Sequence, residues 1–207
     1  MPDDPLSRLA AVPAPGAEPP SPFDAKVAAR TDEWLAAATD TASADTQLFA
    51  KLVAARDVRN ELALLGLQTP AWRALLARHF VHVAAPALPL AVNSSAHAYF
   101  VDTLNALLLT HTSAAVHADD ASCLASIIAH ACLRPDHLWR DLGLTGREEV
   151  TWMLTRYFPT LVVLNIADLR WKKFLAQQRA LSLGLPPGPA PGCPGCEDYG
   201  YCFGDRQ

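Results

Sequence analysis

The chain has 207 residues, 51% of them hydrophobic, and a formal net charge of −4. That mild acidity speaks against a nucleic-acid or anionic-membrane surface, which needs clustered basic charge, and no apolar run approaches the roughly 18 residues of a membrane span. The 37 Ala and 30 Leu, against 15 Val plus Ile, favour an all-α fold, because β-branched residues prefer strands.

Residues 1–22 carry seven prolines and read as a disordered or extended tail. The opening MPDDPLSRLA is acidic and proline-broken, unlike a secretory signal. Residues 23–180 read as one compact helical domain of five to seven helices. A helix is expected over 45–65, with Leu48, Phe49, Leu52 and Val53 on one face and Gly66 as its stop. Thr69 and Pro70 read as an N-cap and first helical residue, leading through Trp72, Leu75, Leu76 and Phe80. Ser95 can cap a helix reaching Leu108. Asp119 and Asp120 suit the positive end of a helix that runs to Cys132 and is closed by Pro135. Thr145 to Glu148 reads as a capping box before Val150, Met153, Leu154 and Phe158. Residues 161–164 (LVVL) read as a buried helical turn or connector.

The last stretch, 181–207, is different. From Pro186 to Cys196, ten of eleven residues are Pro, Gly or Cys, so neither a helix nor an ordinary core is expected there. Three of the five cysteines follow as Cys193-x2-Cys196-x5-Cys202. Thiolates bind soft and borderline metals, and a CxxC step lets two sulfurs converge on one centre. Gly192 and Gly195 are expected to let the backbone bend around it. Iron–sulfur cluster, structural zinc, redox dithiol and unmetallated thiols all remain open on spacing alone. Cys123 and Cys132, nine apart on one helix, face opposite ways and read as buried free thiols. Five cysteines without a secretory signal suit a reducing, cytoplasmic compartment.

Two upstream blocks, Arg134-Pro-Asp-His-Leu-Trp-Arg-Asp-Leu-Gly-Leu144 and Asn165-Ile-Ala-Asp-Leu-Arg-Trp-Lys-Lys-Phe174, precede the terminal CxxCx5CFG. Taken together they resemble the NifQ family of nitrogen-fixation proteins, over about residues 66–204. The resemblance implies a small cytoplasmic accessory protein that handles molybdenum for the iron–molybdenum cofactor of nitrogenase. It implies an iron–sulfur cluster that incorporates molybdenum, with the nitrogenase cofactor scaffold complex and nitrogenase reductase as partners. The family motif is Cys-x4-Cys-x2-Cys-x5-Cys. Its first position falls on Gly188 here, so Cys193, Cys196 and Cys202 are the expected metal ligands, with a bound small molecule, Cys132, a histidine such as His137, or nothing in the remaining place.

Arg170, Lys172 and Lys173 flank Trp171. They read either as a solvated basic face or as charges that offset an anionic cluster and attract molybdate. Trp171 and Phe174 are expected in the core. His137 reads as a metal ligand or as an anchor for the turn after Pro135. Asp141 reads as a local cap or pair, Glu197 and Asp198 as a solvated turn, and His79 with His82 as surface or core histidines. No GxGxxG, P-loop, nucleophile elbow or HExxH occurs, so an enzyme is not expected. The alternative reading is a structural zinc-binding or protein-interaction module.

Overall fold

In the computed structural model, which describes residues 21–80, 83 and 95–204, every regular element is helical. The expected tail over residues 1–20, together with His82, lies outside the described residues. Seven helices run eleven to fifteen residues: α1 (Pro22–Ala36), α2 (Ala44–Asp57), α3 (Thr69–His79), α4 (Ala98–Thr110), α5 (Ala118–Ala131), α7 (Arg147–Tyr157) and α9 (Trp171–Ser182). Three single turns, α6 (Leu138–Leu142), α8 (Pro159–Val162) and α10 (Tyr199–Phe203), complete the set. No helix among the described residues is long and apolar enough to cross a membrane.

Local chemistry explains the ends. Ser21 caps α1 in a reciprocal capping box with Asp24, with Pro22 in its first turn, so a helix begins at the edge of the proline-rich stretch. The helix expected over 45–65 breaks at Asp57. Asn60 adopts φ 57°, and the Glu61 N–H closes on the Arg56 carbonyl at 2.8 Å. This is a Schellman-type ending made by asparagine, the non-glycine residue most tolerant of that region. A 3-10 turn over Leu62–Leu65 follows and stops at Gly66, φ 68°.

Other ends shift by a residue or two. α3 starts at Thr69 itself, with Gln68 before it and no side-chain cap. Ser95 opens a 3-10 turn (Ser95–His97) ahead of α4. Thr145 makes its capping contacts with Glu149, one residue beyond the expected Glu148, through both backbone N–H (2.8 Å) and hydroxyl (2.9 Å). Asp119 and Asp120 lie in the first turn of α5, as expected. Of residues 161–164 only Leu161 is buried.

The core centres on α2 and α5. Phe49, Leu52, Val53 and Ala54 from α2 and Leu124, Ala125, Ile127 and Ile128 from α5 belong to one buried cluster with Trp72, Leu75, Leu104, Met153, Phe158 and Phe174. The small alanines on both helices leave room for close packing. α1 packs on α2, and α9 packs on α4. The α5–α6 connection and the start of α9 are thereby brought under the last segment of the chain.

Candidate metal centre

The cysteine segment has a seat. The Gly192 N–H donates to the Cys132 carbonyl at 3.0 Å, and Ala190 and Cys193 are buried members of the main core. The expectation that Pro186–Cys196 packs no core is corrected here, because a thin chain of Pro, Gly and Ala lies directly against the 132–135 backbone. A Cβ on Gly192 would stand 1.9 Å from the Arg134 carbonyl oxygen, and one on Gly195 would stand 2.5 Å from the Pro135 Cβ. Gly192 has an ordinary right-handed backbone, φ −81° and ψ −16°. Glycine is required there by closeness, not by a bend around a metal.

Beyond the seat, Cys193–Gly195 forms one 3-10 turn, which the Cys196 N–H closes on the Cys193 carbonyl at 2.9 Å. α10 then carries Cys202, whose N–H bonds the Asp198 carbonyl at 2.9 Å. Tyr199 and Phe203, one turn apart, stack at 5.2 Å and pack on the core.

Charged side chains of the body hold the x5 loop, so Glu197 and Asp198 are not simply solvated. Arg140 donates to Glu197 at 2.8 Å, and Arg170 pairs with Asp198 at 2.9 Å. His137 Nε2 lies 3.2 Å from Glu197 and 3.5 Å from Asp198, with its ring stacked on Trp139. The Lys173 ammonium donates to the Cys202 carbonyl and sits 4.9 Å over the Phe203 ring. His137 thus lies between the turn after Pro135 and the turn after Cys196.

Lys172 departs furthest from its reading as part of a solvated basic face. It is 6% exposed. Its ammonium bonds Asp141 and, at 2.7 Å, the Arg134 carbonyl. Asp141 also accepts from Arg134 Nε at 3.2 Å, and its backbone carbonyl accepts from Arg56 and Arg134. Asp141 therefore pairs beyond its own turn, joining α2, α6 and α9 beneath the cysteine seat. Burial and the Arg134 charge push the Arg56 guanidinium down from its usual range, while Glu61 and Asp141 pull it back.

One cleft collects most of the predicted site. Cys193, Cys196 and Cys202 line it together with His137, Arg170, Trp171, Lys172 and Lys173. Its volume of about 50 Å³ holds only a few waters. Among the described residues no three Cys, His, Asp or Glu side chains converge closely enough to hold a metal ion, so the thiols share a cleft without forming a closed coordination shell. Burial pushes the Cys193 thiol up, against a backbone hydrogen bond at Ala190 and the Lys172 charge. Burial likewise raises Cys202, against Lys173 and Arg170. Cys132 stands apart: it is fully buried, outside the cleft, and desolvation pushes its thiol up to about 12. Its contribution is the carbonyl that seats Gly192. Cys123 is likewise a buried thiol, pushed up to about 11 by burial. His79 is core, bonded to Thr46 at 2.9 Å and Asp120 at 3.1 Å.

The donor set suits a thiolate-bound centre. Thiolates ligate iron–sulfur clusters and zinc alike, and metal binding must first displace the thiol protons. Arg147, Arg170 and Lys173 supply positive charge around the sulfurs. Trp171 is buried and lines the cleft, and its buried indole N–H has no hydrogen-bond partner. Arg140 and Arg147 were not read from the sequence as site residues. The only signal for Arg140 was its place four residues after Asp136, which it bonds at 3.2 Å; Arg147 sat inside a capping motif that explained it already.

Comparison with known proteins bears on this centre. The NifQ family model matches residues 47–204, a span that includes both blocks and all three cysteines of the cleft. The chain is 44% identical over 105 residues to the Protein NifQ homolog of Sinorhizobium fredii, covering 50% of this chain and 44% of that protein. It is 44% identical over 81 residues to Protein NifQ of Azotobacter vinelandii, covering 39% and 42% of the two chains. For Protein NifQ of Klebsiella pneumoniae it is 42% over 85 residues, covering 41% and 51%. The matches span about half the length of these curated relatives. No solved structure matches the chain. With a match across three quarters of its length and the cysteine cleft inside it, the chain belongs to the NifQ family.

Proposed function

We propose that this protein carries molybdenum for nitrogen fixation. In this reading Cys193, Cys196 and Cys202 hold an iron–sulfur cluster that takes up molybdenum as cargo and passes it to the nitrogenase cofactor scaffold complex, with nitrogenase reductase taking part. The protein acts as a cytoplasmic carrier, not a turnover enzyme. Family membership supports the pathway. The observation that carries the site is the gathering of three cysteines and cationic side chains around one cleft.

A bound cluster would supply sulfide that can ligate molybdenum beside its iron. The chain's own residues then have separate tasks. The three thiols lose their protons and ligate. Arg170 and Lys173 offset the negative charge that results. Gly192 and Gly195 fix the seat, while the charged contacts to Glu197 and Asp198, mostly at the surface, give a segment that can loosen without unfolding the body.

Anaerobic purification followed by iron, acid-labile sulfide and molybdenum analysis tests this. Iron, sulfide and molybdenum are expected with the wild-type chain, with a visible charge-transfer band that Cys196→Ala removes. A colourless protein with one zinc per chain would contradict it.

A further inference from the structure

A second recess lies on the other side of the wall formed by Arg170, Lys173 and Cys202. It is wider than the thiol cleft, about 490 Å³ against about 50 Å³. Three cations line it, Arg147, Arg170 and Lys173, against one carboxylate, Asp168. The Asp168 backbone is left-handed, φ 48°, held by the Asn165 side chain, which bonds the Leu169 N–H at 2.9 Å and carbonyl at 3.0 Å. This turn delivers the carboxylate to Arg147, while 87% of that side chain stays exposed to water. Arg170 is turned to Asp198 and Lys173 to the Cys202 carbonyl, both from the thiol side. With Arg147 paired to Asp168 and Arg170 to Asp198, Lys173 leaves the recess a net positive charge, and the one carboxylate lining it is a solvent-exposed group that an incoming anion can replace.

We propose that this recess is a binding site for a tetrahedral oxyanion, which enters over Arg147 in exchange for Asp168 and is passed across Arg170 and Lys173 to the thiols. On the carrier reading given above, that anion is molybdate, a dianion at neutral pH, and the recess is where it waits before meeting sulfur. Three observations converge: the cationic lining, the exposed and displaceable carboxylate, and the shared wall with Cys202. Lys172, fully engaged with Asp141, takes no part.

The test is calorimetric titration of the full, metal-free chain with molybdate, tungstate and phosphate. Wild type is expected to bind molybdate and tungstate. Asp168→Asn should tighten molybdate binding several-fold, and Arg147→Gln should weaken it at least tenfold, with both variants retaining wild-type circular dichroism and melting. A Cys193→Ala/Cys196→Ala/Cys202→Ala variant should bind molybdate as wild type does, although it can hold no cluster. Failure of the carrier reading alone would therefore leave molybdate binding intact. The site is overturned if molybdate does not bind, if phosphate alone binds, if Asp168→Asn has no effect or weakens binding, or if the cysteine variant abolishes it.

Discussion

The helical core and the segment from Ala190 to Phe203 lie in one molecule but are held by different forces. The core is apolar and close-packed, with Phe49, Leu124, Ile128 and Phe158 fully buried. Burying each such side chain contributes roughly 1.5–3 kcal/mol. The segment buries little beyond Ala190, Cys193 and parts of Tyr199 and Phe203. It is held by backbone closeness at two glycines and by ion pairs at Glu197 and Asp198; exposed ion pairs contribute about 0–1 kcal/mol each. A rigid body with a lightly fastened metal segment is the arrangement a carrier needs, because the cargo can leave without global unfolding.

The buried charge cluster joins the two regions, so breaking it should have the largest effect. Asp141→Ala leaves Lys172 and Arg134 Nε without their carboxylate acceptor, although the backbone carbonyl used by Arg56 and Arg134 remains, and should cost about 3–5 kcal/mol. At about 2–4 °C per kcal/mol, that lowers Tm by roughly 10 °C. Calorimetry would show the body and the segment failing together, since the cluster underlies both.

Gly192→Ala should separate them. Its new Cβ meets the Arg134 carbonyl oxygen at 1.9 Å, so the segment must lift from its seat. The expected cost is about 1–3 kcal/mol, typical of overpacking. Hydrogen exchange should quicken across 190–203 while α2 and α5 keep wild-type protection, and iron incorporation should fall. Equal loss of protection in both regions would show that the segment is part of the core it rests on.

Acid should act on the body first, and more gently. Arg156, despite some desolvation and with help from Tyr157, holds the Asp45 carboxyl below its usual range. Desolvation pushes Asp120 up, but His79 and Arg78 outweigh it and leave that carboxyl low as well. Glu149 is also held low, where Lys51 and Thr145 prevail over burial. A carboxylate with a lowered folded value stabilises the fold above its unfolded value of about 4 and loses that contribution as pH falls through the folded value. Unfolding free energy should therefore decline modestly as pH falls through about 6.5, where burial holds His130 and His111 low, and further below about 4 as the carboxylates protonate, as urea titrations across that range can show. Asp45→Asn should flatten the decline.

The helices α2, α3, α4, α5 and α7 were legible because apolar residues repeat there at helical spacing, and the acidic start of α5 marks its own position, whereas α1 and α9 were not singled out. What escaped depended on distant partners. The break at Asn60 is a backbone choice hidden within a helix-rich run. Nothing local distinguishes Lys172 from Lys173; burial of the first follows from Asp141, 31 residues earlier. The seat of the proline-rich segment was invisible for the same reason, since the 132–135 backbone it lies on is far upstream. The thiol spacing, by contrast, was plain in the sequence, and the structure adds that all three cysteines line one cleft.

The central claim is that those sulfurs hold the centre that receives molybdenum. X-ray absorption at the molybdenum edge of the anaerobically isolated full chain addresses it most directly. Sulfur and iron neighbours around molybdenum in the wild type, absent in the variant lacking Cys193, Cys196 and Cys202, are the predicted result. Molybdenum surrounded only by oxygen in the wild type, or the same spectrum in the cysteine variant, would contradict it.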